Sequence, residues 1–289
     1  MNEIEIQALI NLLDDPDTEI FHSVSQKLLD QGIKIIPELE KARGNSFNKL
    51  FQERIENIIR KIQFQTTLKK FSEWTHCVTN DLLEGSFWVA KYQYPDLELT
   101  ELQYHIDKIV KDIWLELNDN LTALEKIKIL NHIIFNVHGF TKNLSNFYSP
   151  RNSYINQVLE TKKGNPLSLS IIYVIVAQQL CLPVFGVNLP KNFILAYQNE
   201  LQPKSPEDYE EANILFYINT NNNGAVLGKQ EIDYFIEQLN IEPQKSFYIP
   251  CSNIEIIQRL ILNLIFSYEK SGSSEKVKDL KNLLTVVKH

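Results

Sequence analysis

Few residues in this sequence combine a reactive type with a setting for chemistry. The three cysteines, Cys77, Cys181 and Cys251, lie far apart along the chain. A cysteine attacks only as a thiolate, which needs an electropositive setting. Three widely separated thiols give neither a disulfide framework nor a metal-ligand spacing. They read as free, partly buried thiols, and Cys181, within Leu180-Cys181-Leu182, reads as apolar packing. Of the six histidines, His76, His105, His132 and His138 sit in the helical region ahead of the fold core. Imidazole is the usual base near neutral pH, but no spacing brings one of these four to a nucleophile. His132 follows Asn131 on an amphipathic stretch and reads as a partly exposed surface position. Two hydroxyls, Ser168 and Ser170, open an apolar run. As a nucleophile, Ser168 would need a titrating base within about 3 Å of its oxygen. Its plainer role, as the third residue from a helix cap, is a bond to backbone or to a loop.

The element that carries those serines runs from Lys163 to Tyr197 and reads as loop, helix, turn, strand, turn, strand. Asn165 suits a helix N-cap, because its side-chain oxygen can accept an orphan backbone N–H. Pro166 suits the first helical position, where its missing N–H costs nothing. Leu167 to Leu180 contains no charge, and a helix apolar nearly all round is a buried one. At about 1.5 Å per residue it spans on the order of 22 Å, too short for a membrane. Leu182-Pro183 ends it. V-F-G-V-N-L and F-I-L-A-Y follow as two strand-like runs, parted by Pro190-Lys191-Asn192.

The motif G-N-P-L-S-L-S followed by L-P-V-F-G-V-N-L-P-K-N-F resembles the SirB-type branch of the transglutaminase-like superfamily. Upstream Y-S-P-R-N-S-Y-I-N-Q-V-L, Tyr148 to Leu159, and downstream F-Y-I-N-T-N-N-N-G, Phe216 to Gly224, fit the same pattern. The resemblance covers roughly residues 70–289 and is specific for fold. It implies an α+β, predominantly helical chain with a transglutaminase- or papain-like core. In that core one buried helix, Pro166 to Leu180, packs on a small antiparallel sheet from 184–189, 193–198 and 212–219.

Enzymes of the superfamily use a Cys-His-Asp arrangement. A thiolate at a helix N-terminus attacks an acyl carbon, a histidine moves the proton and an aspartate orients the histidine. The resemblance puts the Cys position at Pro166, the His position at Asn192, where relatives read P-G-H-F, and the Asp position at Asn219, where relatives read F-I-D-P. Proline offers no nucleophile, and asparagine does not titrate near neutral pH, so Asn192 is no general base. Asn219 could bond a ring nitrogen, but no histidine stands at the matching site. Ser168 lies two residues past Pro166, about 200° around the helix, and does not point where a thiol would. The resemblance also puts Arg151, Asn152, Ser153 and Tyr154 beside the cleft. With Asn165, Asn192 and Asn219 they could line a polar pocket for a peptide-like or amide-bearing ligand. The alternative is that Arg151 and Asn152 pin their loop.

The remaining chain reads as flanking helices. Residues 1–65 suggest short helices over Ile4 to Leu13, Thr18 to Gln31, Ile33 to Lys41 and Phe47 to Ile62. Two pairs of about 30 residues match HEAT-type units at the level of pattern, and an ordinary helical cap fits equally. Residues 66–245 form the expected transglutaminase-like domain. It includes amphipathic helices over Leu97 to Leu117 and Thr122 to Val137, a polar exposed loop over Gln202 to Glu211, and a helix over Gln230 to Leu239. Residues 246–289 form a helical hairpin, Asn253 to Lys270 and Ser274 to Val287, with tetratricopeptide-like spacing. One such unit cannot bury itself and should pack on the core.

Composition narrows the function classes. Net charge is −7 with 44% hydrophobic residues. That balance argues against a general nucleic-acid surface, which needs clustered Lys and Arg. The chain opens on an acidic amphipathic stretch and holds no long apolar run, so a cytoplasmic protein without a membrane span is expected. No cofactor or metal is expected. The leading functional expectation is a non-catalytic transglutaminase-like module that binds a protein or peptide partner in a polar cleft. The rival is a hydrolase, amidase or protease-like enzyme with Ser168 as relocated nucleophile. A third reading is a structural paralogue whose cleft is filled by its own side chains.

Overall fold

The computed structural model describes residues 2–199 and 213–287. The expected loop over Gln202 to Glu211 lies outside the described residues. The chain divides into two compact units, Met1–Glu73 and Trp74–His289.

The first unit is helical: α1 Glu3–Asn11, α2 Thr18–Leu29, α3 Ile36–Asn45 and α4, which begins at Lys49. Asn2 caps α1 and Asp17 caps α2, each accepting a backbone N–H two or three residues on. The helices bury a common core that includes Ile10, Leu13, Leu28, Leu39 and Ile55. Arg54 bonds the carbonyls of Leu13 (2.7 Å) and Asp15 (2.9 Å), closing the α1–α2 connection. Helix α4 spans Lys49–Thr75 without a break. The boundary expected at 65/66 therefore falls inside a continuous helix. No Gly or Pro lies between Ile62 and Thr75, so nothing local stops the helix where the sequence reading ended it.

The second unit continues with α5 Leu82–Lys91, α6 Leu99–Trp114, α7 Ala123–Asn131, β1 Thr141–Lys142, α8 Ile155–Thr161, β2 Lys163–Gly164 and α9 Pro166–Gln179. Then come β3 Val184–Val187, β4 Ile194–Gln198, β5 Ile214–Asn219, β6 Ala225–Leu227, α10 Lys229–Gln238, α11 Asn253–Lys270 and α12 Ser274–Val287. Among the described residues, one sheet runs antiparallel in the order β3-β4-β5-β6, and β1 pairs with β2 in parallel. The strand β6 and the β1–β2 pair were not expected from the sequence. Each has two or three residues, too few to show a period of two. The amphipathic stretch after Thr122 is an α-helix only to Asn131, and His132–Val137 forms a π-helical turn. Gly139 follows at φ +72.

Helix α9 is the centre of this unit. Every residue from Leu167 to Ala177 is buried. The all-apolar sequence requires neighbours on all sides, and α5, α6, α8, α11 and the sheet supply them. Its end corrects one expectation. Cys181 does not pack in the core but is exposed, at φ +56. The Leu182 N–H bonds the Ala177 carbonyl (2.9 Å) and the Cys181 N–H bonds Gln178 (3.0 Å). That is a Schellman closure with Cys181 in the left-handed position usually given to glycine, which turns its side chain outward. Cys77 is exposed too, and Cys251 is half-buried. The helices α11 and α12 pack on each other and α11 packs on α5 and α9. Tyr92, the residue that caps α5, donates to Asp279 of α12 at 3.1 Å.

Candidate functional site

The N-terminus of α9 is built from a reciprocal cap. Asn165 Oδ1 accepts the Ser168 N–H (2.9 Å), and Ser168 Oγ accepts the Asn165 N–H (3.0 Å). The Ser168 hydroxyl donates to the Asn152 carbonyl at 2.6 Å. Ser168 is only 3% exposed. Its oxygen thus ties the helix start to the preceding loop, and its partners are backbone groups rather than titrating side chains. A Cβ built on Gly164 would lie 2.5 Å from that oxygen, so glycine there is what lets the strand pass over the cap. Ser170 Oγ bonds Thr220 Oγ1 (2.6 Å) and the Pro166 carbonyl (2.8 Å), linking the helix start to the turn after β5.

Asn152 is buried and serves its own loop. Its amide donates to the carbonyls of Asn146 (2.7 Å) and Phe147 (3.1 Å), and its Oδ1 accepts from Asn143 (2.9 Å). Arg151 Nε donates to Gln157 Oε1 at 2.8 Å. The Tyr154 and Tyr268 hydroxyls meet at 3.1 Å, and burial pushes the Tyr154 phenol well above its ordinary value. Asn165 side-chain nitrogen donates to Ser153 Oγ at 2.8 Å.

A cavity of about 260 Å³ opens at the start of α9. Asn165, Pro166 and Leu167 form one wall; Lys191, Asn192 and Phe193 form another; Arg259, Asn263, Phe266 and Ser267 of α11 face them, with Phe147 and Tyr148 at the side. Pro166 and Asn192, which the resemblance sets at the Cys and His positions, therefore share one cavity. Asn219 lines a neighbouring cavity of about 210 Å³, together with Asn192 and α10 residues. Asn192 stands between the two. Asn219 Oδ1 accepts the Asn221 N–H at 3.1 Å. Arg151, Asn152 and Tyr154 lie outside the lining of both cavities. No histidine, cysteine, aspartate or glutamate is among the described residues lining the first cavity. His138 pairs with Asp112 at 2.8 Å away from it, and burial pushes that imidazole below its ordinary value against the pull of Asp112. Among the described residues no cluster of His, Cys, Asp and Glu could hold a metal ion. No helix of the described residues is long and apolar enough to cross a membrane.

Arg259 is the residue sequence reasoning missed. Its Nη1 donates to Asn188 Oδ1 and to the Leu189 carbonyl (3.0 Å), and its Nη2 donates to the Asn192 carbonyl (2.8 Å). The guanidinium also lies 5.5 Å from the Phe193 ring centre. It thus holds the 188–193 loop, whose Lys191 sits at φ +56. Burial holds its pKa below the ordinary arginine value, though arginine stays protonated at any physiological pH. One signal was available: Arg259 is the sole arginine after Arg151, set within the apolar stripe of α11.

A family model described as Transglutaminase-like superfamily matches residues 100–262, more than half of the chain. The chain belongs to the transglutaminase-like superfamily. The match begins in α6, includes α9 and the whole sheet, and ends inside α11 just past Arg259. Curated relatives fall into two groups. A UPF0162 protein of Xylella fastidiosa (strain Temecula1) is 32% identical over 127 residues, 42% of this chain and 45% of the relative. The UPF0162 protein PA3419 of Pseudomonas aeruginosa is 29% identical over 114 residues, 39% of this chain and 42% of the relative. F-box only protein 21 of Homo sapiens is 23% identical over 258 residues, 82% of this chain and 40% of the relative. The matched stretches span less than half the length of these relatives. No solved structure matches the chain.

Proposed function

We propose that this chain is a non-catalytic member of the superfamily, of the SirB-type branch, whose α9 cavity binds a protein or peptide partner. One observation carries the reading. The resemblance puts the thiol and the imidazole of the superfamily's enzymes at Pro166 and Asn192, and both line this cavity with no described His, Cys, Asp or Glu in its wall. Acyl transfer without nucleophile and base keeps only the small contribution of binding and oxyanion stabilisation. The relocated-nucleophile reading is disfavoured, because the Ser168 hydroxyl is spent on the Asn152 carbonyl and the helix cap. A cavity of about 260 Å³ also disfavours a cleft filled by its own side chains. The N-terminal helical unit, Met1–Glu73, and the C-terminal hairpin as a tetratricopeptide-like unit fit a scaffolding role in a cytoplasmic setting.

The test is turnover. Purified protein is incubated with a glutamine-containing peptide, an amine and generic ester and amide substrates, and release of ammonia or leaving group is followed. The expected result is a rate no greater than that of the Ser168→Ala and Asn192→Ala variants. Turnover that disappears in either variant overturns the reading.

A further inference from the structure

We propose that the cavity between Pro166 and Arg259 takes the C-terminal carboxylate of a partner peptide that ends in an apolar residue. This rests on the reading of the cavity as a binding cleft and names what it binds. Three observations carry it.

The first is charge. The chain is acidic, at −7, yet the described cavity lining holds two cations, Arg259 and Lys191, and no acid. Neither cation has a carboxylate within ion-pair distance among the described residues. A cationic recess on an acidic protein selects anionic groups by complementarity and sets a salt-dependent encounter.

The second is donor geometry. A guanidinium carries five N–H donors. Three of them go to Asn188, Leu189 and Asn192. Two remain, one on Nε and one on Nη2. A guanidinium with a donor to spare on both nitrogens can grip a carboxylate with two bonds. Because the loop already fixes the guanidinium, little side-chain entropy is lost when a ligand binds.

The third is the apolar rim. Phe147, Tyr148 and Phe266 surround the same cavity and are 52%, 56% and 49% exposed. The Tyr148 and Phe266 rings meet at 6.0 Å. Aromatic surface grouped around a charged recess suits a ligand with an anion at one end and an apolar side chain beside it. A chain terminus has both on one residue and enters once. An acidic side chain within a peptide would have to carry the chain in and out of a space of about 260 Å³.

The test is affinity-selection mass spectrometry on the full chain with pooled acetylated pentapeptides ending in Leu, Ile, Val or Phe. One pool carries free carboxylates, a second carries C-terminal amides, and a third is amidated with an internal Asp. The expected result is retention of the acid pool at least about tenfold over the amide pool, falling as salt rises. Lys191 is exposed and its side chain makes no bond to the described residues, so Lys191→Glu should stay folded by circular dichroism while losing about tenfold in acid-pool retention. Equal retention of acid and amide pools overturns the assignment and leaves the cleft reading standing. Retention of neither pool overturns it as well, and so does preference for the internal-Asp pool. New peptide masses from cleavage or transfer overturn the non-catalytic reading itself.

Discussion

Gly224→Ala is expected to lower the stability of the protein by about 3 kcal/mol or more, a large part of a typical domain's margin. Two independent costs act at this position. The backbone sits at φ +77, where a Cβ is strained. The same Cβ would lie 1.9 Å from Asn131 Oδ1. Asn131 cannot simply withdraw. Its amide donates to the Gly224 carbonyl at 2.8 Å, and its Oδ1 accepts the Tyr173 hydroxyl at 2.9 Å. Tyr173 is fully buried on α9, so a displaced Asn131 leaves a buried hydroxyl without its acceptor, at a cost of about 1–3 kcal/mol. Urea unfolding of Gly224→Ala, Asn131→Ala and the double variant checks this. The double variant should be less destabilised than the sum of the singles by about 1–2 kcal/mol, because one substitution removes the clash that the other creates. Additive values would show that the contact does not govern the turn.

Arg259→Ala is expected to loosen the 188–193 loop while leaving most of the fold intact. The side chain makes three bonds to that loop and stacks near Phe193. Each bond to a charged donor is worth about 1.5–3 kcal/mol at most. Two effects reduce the net. The freed carbonyls of Leu189 and Asn192 can turn to water, and removing a half-buried cation also removes its desolvation cost. The net loss should be about 1–2 kcal/mol, with backbone amide exchange accelerated at Asn192 and Phe193 well beyond that in α9. Arg259→Lys should recover part of the stability but not the loop order, because an ammonium cannot reach three acceptors in a planar fork. Uniform acceleration across α9 and the loop would mean that Arg259 supports the whole core rather than the loop.

The parts of this fold that were legible in the sequence are those set by local signals. The Asn165-Pro166 start of α9 follows from cap chemistry, and the division of α11 from α12 from the Ser271-Gly272-Ser273 break. The three main strands showed β-branched and aromatic runs. What escaped was decided by distant residues. Arg259 reaches the 188–193 loop across about 70 positions, and no spacing rule links the two. Cys181 was read by its hydrophobicity, whereas its place one residue past the helix cap decides its exposure. Helix α4 runs on past Ile62 to Thr75 because no breaker stands between them. For the site, the resemblance brought Pro166 and Asn192 to one cavity, but the aromatic rim and the arginine come from the loop at 147–148 and from α11.

Whether the start of α9 can act as a nucleophile is read directly by intact-mass labelling. The folded chain and a urea-denatured control are treated with serine-reactive and cysteine-reactive acylating probes, and the modified residues are mapped. A non-catalytic cleft predicts that Ser168 is labelled no faster in the folded chain than in the denatured one, with only the exposed thiols Cys77 and Cys181 reacting in the native state. Rapid labelling of Ser168 that requires the fold would contradict it, and would mean that a base reaches this hydroxyl.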